Sequence, residues 1–416
     1  MKKILILILA LLMTLSPAAL AASSPDAPVN LDYTTIIAGD TLYYSGSVDG
    51  GEVGVFMMNR DGSDPKKISD ITADLLALSG ENLLVYRYDQ ESGDVSLNIL
   101  APDGTLTLLE DIYSSKAIAA DGRFYWGMGS CAEDGSDIQL YFTGDDANSY
   151  NYYPLAVQDG YYYYLDWSEM SGTVFYEGSE YPMGVALSRM NLADRTHEVI
   201  SSVGTTFLGI EDGRIYYTRD NFWTLTEDGS DSAEVTVDRG LFAADLDTLT
   251  ETRLASFPES DDIVTSYSLL QDGVIYGLHS DFSTDDAGLY SIARISADGT
   301  ELPSIPLDVN AWISLHAVQG DTLYAAQSIF SSSEDDFIQR DCILAVNLTD
   351  GSKTPLNPDS IDMLFYTESN PYVVVDGDSI FYTAYDMERW SVCLKSMLLD
   401  GTDLRLLAYG VSSAEG

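Results

Sequence analysis

The sequence predicts an all-β protein, a β-propeller of eight four-stranded blades. A unit of four short strands recurs along the 416 residues, with steps of roughly forty to sixty residues between copies. Its strands read as continuous apolar and aromatic runs, which is typical of sheets packed on both faces. Its turns place Asp next to Gly, a strong signal for tight hairpins. Four short strands at this period are the signature of a propeller blade.

The clearest copy of the unit is residues 373–408, in which Asp376-Gly377 and Asp400-Gly401 separate apolar runs. Gly accepts positive φ and Asp caps its own backbone, so each pair predicts a tight turn. We call the four strands A to D, from the propeller axis outward. Large tyrosine rings suit the gap between neighbouring blades, because that gap widens outward.

Eight copies are found, each with a B strand that begins just after a turn. The marker residues of these B strands are Leu42, Leu83, Phe124, Tyr162, Ile215, Ile275, Leu323 and Ile380. The third copy is the weakest, with its C strand predicted at residues 138–143 before Asp145-Asp146, so seven blades are the alternative. The first copy has its own inner strand (33–37) and the last its own outer strand (404–408). We therefore expect the ring to close by packing, without a borrowed strand.

The amino terminus predicts export. Lys2-Lys3 precede an apolar segment at residues 4–15 and a small-residue pattern that ends at Ala21, so residues 1–21 are interpreted as a signal peptide. An uncleaved anchor is the alternative, although the segment is short for a membrane span. Residues 22–30 are predicted to be a flexible lead-in, 31–410 a single propeller domain and 411–416 a tail. We expect a secreted monomer without a membrane span.

The net charge is −46, from 20 Lys and Arg against 66 Asp and Glu. Such a surface repels phosphate backbones, so nucleic acid is a poor partner. Solubility of an exported protein is one reason for this charge. The alternatives are calcium, bound by irregular loop carboxylates, and a basic ligand. No other cofactor is predicted, because no motif for one is present.

The three cysteines do not form a disulfide framework, and their spacing does not suit zinc. Cys342 and Cys393 lie at comparable distances before the Asp-Gly turns of their copies. Opposite parity would let them face each other across neighbouring sheets and form a bridge. Buried free thiols are the expectation for both residues, and the bridge is the alternative.

Long connections are unevenly distributed over the predicted blades. Alternation of strand direction places the A–B and C–D turns at one end and the B–C and D–A connections at the other. The long connections all belong to the second set: residues 167–183, 220–238, 280–287, 329–340, 257–263 and 357–370. The segment 221–238 is an insertion that predicts an extra hairpin. Long loops on one face of a rigid scaffold are typical of a binding surface.

Aromatic and acidic residues are mixed in these long connections. The candidate ligand-binding residues are Trp167, Tyr176, Tyr181, Phe222, Trp223, Phe330, Asp335 and Asp336. Aromatic rings beside carboxylates suit sugars, by stacking and hydroxyl bonding, or basic peptides, by cation–π contact and ion pairing. The alternative interpretation is that the rings hold their own loops while the acids face water.

No catalytic constellation is evident. His197, His279 and His316 are scattered, and neither a Gly-x-Ser-x-Gly elbow nor a His-Glu-x-x-His helix is present. His316 is predicted to lie in an inner strand and to line the axial channel. The leading hypothesis is a secreted, non-catalytic module that binds a protein, a peptide or a cell-wall glycan. The alternative is a polysaccharide hydrolase or lyase that uses carboxylates in the central pocket.

Two sequence features carry a resemblance to a known family. Ile-Tyr-Tyr follows a turn that contains Asp and Gly. Met-Asn-Arg-Asp-Gly-Ser-Asp at residues 58–64 follows a C strand. The repeat resembles bacterial secreted propellers of unknown function, distant relatives of the low-density-lipoprotein-receptor-type (YWTD) and TolB-like propellers. The resemblance implies the propeller fold and binding of proteins. The Tyr-Trp-Thr-Asp tetrapeptide is missing, with Tyr125-Trp126-Gly127-Met128 the nearest match, so no functional residue is transferred.

Overall fold

The computed structural model describes most of the chain after residue 27. The described residues are 28–88, 95–110, 116–142, 152–166, 173–176, 179–182, 186–201, 205–220, 222–225, 232–235, 238–258, 263–281, 289–307, 311–332, 337–357, 373–386 and 391–409. They contain β-strands and no helix. The described residues therefore include no helix that could cross a membrane. The sheets are eight four-stranded antiparallel blades arranged as a β-propeller, and the predicted fold class and blade number are confirmed.

The first four blades are built from strands that follow one another in the chain. Blade 1 consists of β1 (Val29–Asp32), β2 (Thr35–Ala38), β3 (Thr41–Gly46), β4 (Gly54–Asn59) and β5 (Lys66–Ser69). Blade 2 consists of β6 (Ala73–Ser79), β7 (Asn82–Tyr88), β8 (Val95–Leu100) and β9 (Leu106–Glu110). Blade 3 consists of β10 (Ala117–Ala120), β11 (Arg123–Trp126), β12 (Gly129–Ala132) and β13 (Gln139–Leu140). Blade 4 consists of β14 (Tyr152–Gln158), β15 (Tyr161–Asp166), β18 (Ala186–Asn191) and β19 (His197–Ser201), with an inserted hairpin of β16 (Thr173–Tyr176) and β17 (Ser179–Pro182).

The other four blades follow the same order. Blade 5 consists of β20 (Thr205–Glu211), β21 (Arg214–Arg219), β24 (Gly240–Asp245) and β25 (Glu251–Ser256), with an inserted hairpin of β22 (Phe222–Leu225) and β23 (Ser232–Val235). Blade 6 consists of β26 (Ile263–Gln271), β27 (Val274–Asp281), β28 (Leu289–Ser296) and β29 (Glu301–Pro306). Blade 7 consists of β30 (Ala311–Gln319), β31 (Thr322–Ser332), β32 (Phe337–Asn347) and β33 (Lys353–Pro355). Blade 8 consists of β34 (Val373–Asp376), β35 (Ser379–Asp386), β36 (Ser391–Leu398) and β37 (Arg405–Tyr409).

The chain divides into two compact units. Unit 1 contains the described residues within Gly39–Lys66 and Phe257–Gly416, and unit 2 those within Asp26–Ala38 and Lys67–Ser256. Unit 2 therefore holds blades 2 to 5, and unit 1 holds blades 6 to 8 together with most of blade 1.

The B strands are buried on both of their faces. In blade 3, Phe124 and Trp126 are 0% exposed and Tyr125, which points to the other face, is 3% exposed. Phe124 and Trp126 pack with residues of blade 2, while Tyr125 packs with Tyr162 of blade 4. Burying each such side chain contributes about 1.5–3 kcal/mol, so these strands form the core of the blade interfaces.

The A–B connections are two-residue turns in all eight blades. In blades 3 to 6 the turn is Asp-Gly with positive φ at both residues, as at Asp121 (51°) and Gly122 (70°). This is the φ pattern of a type I′ turn. In blades 1, 2, 7 and 8 Gly comes first and alone has positive φ, as at Gly39 (55°), which is the φ pattern of a type II′ turn.

The C–D turns repeat one hydrogen-bonding pattern. In seven blades an Asp carboxylate accepts a hydrogen bond of 2.8–3.0 Å from the backbone N–H of the Ser or Thr two residues later; the acceptors are Asp61, Asp103, Asp134, Asp194, Asp298, Asp350 and Asp400. Hydrogen bonds from neighbouring Ser and Thr groups lower the pKa of all seven carboxyl groups, that of Asp298 to about 2.

The A–B and C–D turns of a blade lie at the same end. The residue that follows the C strand donates its N–H to a carbonyl of the A–B turn, as in Arg60 to Asp40 (2.9 Å), Leu192 to Gly160 (2.9 Å) and Leu348 to Asp321 (2.7 Å). The B–C connections must therefore leave from the other end of each blade. This geometry confirms that the A–B and C–D turns of a blade share one end and that its B–C connection leaves from the other.

Blade 3 corrects one sequence prediction. Its C strand is β12, reached from β11 through only Gly127 and Met128, and its C–D turn contains Asp134-Gly135. The prediction of a C strand at residues 138–143 was wrong, since Ile138 (43% exposed) and Leu140 (48% exposed) lie at the outer edge. The small residues of β12 hid the strand, because Gly-Ser-Cys-Ala does not read as an apolar run.

Blade 1 carries a strand that the sequence analysis did not identify. Strand β1 pairs with β2, with Val29 opposite Ile37, and makes this sheet five-stranded. The side-chain amide of Asn30 donates to the carbonyls of both Leu75 and Leu76 on blade 2, each at 3.1 Å. The amino-terminal strand therefore connects the inner strands of blades 1 and 2.

Among the described strands, no blade contains a strand from the other end of the chain. Within unit 1, blade 8 contacts blade 1 through side chains and one isolated bridge. Ser47 and Tyr409 exchange two backbone hydrogen bonds of 2.9 and 2.7 Å. Arg60 of blade 1 forms a 2.5 Å ion pair with Asp376 of blade 8, and its guanidinium lies 5.0 Å from the Phe381 ring centroid. The first and last blades thus join by packing, as predicted.

We predict that Gly401→Ala destabilises the protein more than Gly160→Ala. Both glycines have positive φ, 82° and 79°, so both substitutions cost about 1–2 kcal/mol of backbone strain. A Cβ at Gly160 meets no atom within 4 Å, whereas one at Gly401 would overlap the Leu356 carbonyl of the preceding blade. Overpacking adds about 1–3 kcal/mol for Gly401→Ala only. Denaturant unfolding measures the difference, and equal losses would contradict this account of the blade contact.

We predict that the stabilising effect of Asp298 disappears in acid. Because folding lowers the pKa of its carboxyl from the ordinary value of 3.8 to about 2, the group stabilises the fold above pH 4 and loses that effect as the pH falls through 2. Asp298→Asn should therefore be less stable than the wild type at neutral pH, and the gap should close between these values. Asp212→Asn removes an equal charge from an exposed turn and is the control. A constant gap over the whole pH range would refute the prediction.

Candidate functional site

The predicted ligand-binding residues fall into three groups. Trp167, Asp335 and Asp336 lie outside the described residues. Tyr176, Tyr181, Phe222 and Trp223 lie on the two inserted hairpins of blades 4 and 5, and Phe330 lies on β31 of blade 7. The structure therefore places these five by their strands alone.

The two inserted hairpins are separate two-stranded sheets that leave the long-connection ends of blades 4 and 5. In the first, Val174 pairs with Tyr181 and Tyr176 with Ser179. In the second, Phe222 pairs with Val235 and Trp223 with Glu234. The hairpin in blade 5 confirms the predicted insertion, whereas the one in blade 4 was not predicted as a hairpin.

The hairpins lie against each other within unit 2, with β16 alongside β22. The structure therefore brings Tyr176 and the Phe222–Trp223 pair onto adjacent strands, although they are far apart in the sequence. The two hairpins form one surface, which we call the double hairpin (β16, β17, β22 and β23).

Ion pairs fix the base of the second hairpin. Asp220, just before β22, accepts a hydrogen bond from Arg239 Nε at 2.5 Å across the base of the insertion. Asp238 pairs with Arg253 of the outer strand of blade 5. The Arg253 guanidinium also lies 5.4 Å from the ring centroid of Phe242, a residue of the C strand. These contacts tie the insertion to the rigid sheet below it, which favours a defined position for the hairpin.

Blade 7 extends its B and C strands into an arm. Strands β31 and β32 have eleven residues each and pair continuously as far as Ser332 and Phe337, with Phe330 opposite Gln339. The predicted acidic pair Asp335 and Asp336 belongs to the connection between these two strands, which lies outside the described residues.

The three histidines occupy the strands that the sequence indicated. His197 begins the outer strand β19 and accepts or donates a 2.9 Å hydrogen bond with the Tyr164 hydroxyl. His279 lies in β27, with Nδ1 2.9 Å from the Thr265 hydroxyl. His316 lies in the inner strand β30, with Nε2 2.9 Å from Ser314 Oγ. That His316 lines an axial channel stays a prediction.

His316 is an uncharged group at neutral pH. Burial lowers its pKa from the ordinary value of 6.5 to about 4. Its side chain nevertheless keeps some accessible surface. A side chain that is surrounded by protein but keeps some solvent-accessible surface is expected to lie in a narrow recess.

Cys342 and Cys393, considered above as a possible disulfide pair, are not bridged, and all three cysteines are buried free thiols. Cys342 on β32 is paired with Gln327 on the neighbouring strand β31. The Cys393 thiol donates to the carbonyl of Ala384 in its own blade at 3.3 Å. Each thiol therefore has a partner within its own sheet. Burial raises the pKa of Cys131 and Cys342 to about 11, so these two thiols are protonated and unreactive at neutral pH.

No group of three or more His, Cys, Asp or Glu side chains that could hold a metal ion is found within the described residues. The prediction that calcium binds to loop carboxylates is not tested by this result, because much of the acidic loop sequence lies in the connections outside these residues. Calcium therefore stays a prediction.

Sequence reasoning missed the ion pairs at the base of the second hairpin and the serine that contacts His316. The contact between Ser314 and His316 could have been predicted, because residues two positions apart in a strand lie on the same face. The Asp220–Arg239 pair could also have been predicted, since the hairpin expected over residues 221–238 brings these two flanking residues together.

Comparison with known proteins leaves the family open. No protein-family model matches the chain, and no curated protein matches it. Solved structures do match. One is a prolyl endopeptidase with a TM-score of 0.43 and 14% identity, over 80% of this chain and 41% of that one. Another is the oligogalacturonate lyase of Vibrio parahaemolyticus, with a TM-score of 0.46 and 9% identity, over 84% and 93% of the two chains.

A third match is the β-propeller domain of the Trilobed protease from Pyrococcus furiosus, with a TM-score of 0.41 and 10% identity, over 84% of this chain and 99% of that domain. The chain spans less than half the length of the prolyl endopeptidase. The likeness among these propeller proteins concerns the fold and transfers no activity. The resemblance to YWTD and TolB-like propellers stays a prediction from the sequence.

Proposed function

We propose that the protein is a non-catalytic binding module that holds a protein, peptide or cell-wall glycan on the long-connection end of blades 4 and 5. The observation that carries this proposal is the contact between the two inserted hairpins. Two separate insertions in neighbouring blades pack on each other instead of ending in unrelated loops. Binding residues are often found on such additions to a rigid scaffold.

The composition of the double hairpin supports a ligand with apolar or sugar surface. Its strands carry Tyr176, Tyr181, Phe222 and Trp223, together with Glu180 and Glu234. Tyr and Trp supply large contact areas and are enriched among the residues that dominate binding energy. Carboxylates beside them suit sugar hydroxyls or basic side chains. The net charge of −46 disfavours polyanionic ligands, and this supports a glycan without charge or a basic peptide.

We predict that Trp223→Ala lowers ligand affinity about tenfold or more without unfolding the propeller. Binding is measured on arrays of cell-wall glycan fragments and of basic peptides, with and without calcium. Trp167→Ala tests the connection that precedes the first hairpin. Replacement of residues 222–235 by a Gly-Ser turn tests the whole second hairpin while keeping Asp220 and Arg239.

Leu404→Ala is the matched control, because Leu404 is 52% exposed on blade 8, far along the chain from the insertions. Circular dichroism and thermal unfolding check that each variant is folded. Equal loss of binding in Leu404→Ala, or full binding by the hairpin replacement, would refute the proposal. Depolymerisation of an arrayed glycan by the wild type would instead favour the hydrolase or lyase alternative.

A further inference from the structure

Five inner strands share a β-bulge at the same position. The A–B pairing skips one residue of β6, β14, β20, β26 and β30. In each strand this extra residue is followed by the last three residues of the strand. A bulge re-aims a side chain, and bulges are over-represented next to active sites. The repeat therefore offers five versions of one position for comparison.

The residue at the bulge differs between the two units. In unit 2 it is a buried leucine in all three bulged strands: Leu76, Leu155 and Leu208, which are 3%, 6% and 1% exposed. In unit 1 it is Ser268 in blade 6 and His316 in blade 7, and both side chains keep accessible surface. Polar residues have replaced the apolar ones only in blades 6 and 7 among these five. A local departure from a repeated rule is expected where function requires it.

The polar side chains at and beside this position have hydrogen-bonding atoms without a partner among the described residues. His316 uses Nε2 for Ser314 Oγ at 2.9 Å, and no described residue bonds its Nδ1. Ser266 and Ser268 lie at the equivalent positions of β26, which neighbours β30. Their hydroxyl groups likewise have no hydrogen-bond partner among the described residues. One imidazole nitrogen and two hydroxyl groups are therefore available at the same level of two adjacent strands.

The chemistry of these strands favours an uncharged ligand. Strands β26 and β30 have nine residues each and contain no Asp, Glu, Lys or Arg, in a chain with 86 such residues. The His316 imidazole is neutral at physiological pH. No cation on either strand would neutralise an anionic ligand, and no carboxylate would hold a cationic one. Hydroxyl groups and a neutral imidazole pair well with ligand hydroxyl groups.

We propose that His316, Ser314, Ser266 and Ser268 form a binding site for an uncharged, hydroxyl-bearing ligand, a neutral sugar ring, on the inner strands of blades 6 and 7. This site is independent of the double hairpin, which belongs to unit 2. The histidine accepts or donates one hydrogen bond at Nδ1, with Ser314 holding the ring orientation through Nε2. The two serines of β26 supply further hydrogen bonds to ligand hydroxyl groups.

The imidazole signals of the full chain test this proposal, because the protein has only three histidines. Nuclear magnetic resonance spectra of His197→Gln and His279→Gln assign the signals. The probes are D-glucose, D-galactose and N-acetyl-D-glucosamine at millimolar concentration, with D-glucuronate as the charged counterpart of glucose. We expect a neutral sugar to shift the His316 signals in a saturable way and glucuronate to bind at least about tenfold more weakly.

His316→Leu is the decisive variant, because leucine occupies the same position in blades 2, 4 and 5 and should be compatible with the fold. We expect Ser314→Ala to weaken binding about tenfold, as for the loss of a hydrogen bond in an enclosed site. In His316→Leu, made in the chain that lacks the second hairpin, saturable sugar binding measured by calorimetry should be lost. In the variant that lacks the second hairpin, neutral sugars should shift the His316 signals as they do in the wild type, so failure here and failure of the proposed function can be told apart. The proposal is overturned if none of the three neutral sugars shifts the His316 signals, if glucuronate binds as well as glucose, or if His316→Leu retains binding.

Discussion

Burial of the B strand on both faces is the constraint on which the rest of the structure depends. A sheet that hides both faces cannot fold alone, so every blade needs a neighbour on each side. Arginine side chains supplement this packing at the blade boundaries, although the chain is poor in cations. Arg189 of blade 4 donates to the Leu246 carbonyl of blade 5, and Arg294 of blade 6 donates to the Leu348 carbonyl of blade 7. Some of the few positive charges of the chain thus connect neighbouring blades.

The two ends of each blade are under different constraints. At the short-turn end, the A–B and C–D turns are joined by backbone hydrogen bonds, and the Asp of most C–D turns holds the residue two places later. The C–D turn of blade 8 also approaches the Leu356 backbone of the preceding blade so closely that only Gly fits. Insertions at this end would break several contacts at once. The blade 4 and blade 5 hairpins and the blade 7 arm are accommodated at the other end.

The repeat also made some features hard to see in the sequence. Blade 3 was found, but its C strand was misplaced, because Gly129 to Ala132 are small residues that still pair with β11 and are buried. Strand β1 has no equivalent in the other copies, so comparison between copies could not reveal it. The bulge in the inner strands leaves no clear trace in composition. It became visible only through the pairing register, which then set Ser268 and His316 apart from the leucines of the other blades.

The sequence alone determined the fold class, the number of blades, most turn positions and the separation of short A–B and C–D turns from longer B–C connections. These follow from local chemistry, since Asp and Gly set turn geometry and uninterrupted apolar runs require cover on both faces. Only the tertiary structure decided that the three cysteines are free, that the insertions of blades 4 and 5 lie together, and that His316 and the serines share one level of adjacent strands. Each of these depends on the distance between residues that are remote in the chain, and such distances are set by packing and register, which periodicity along the sequence does not encode.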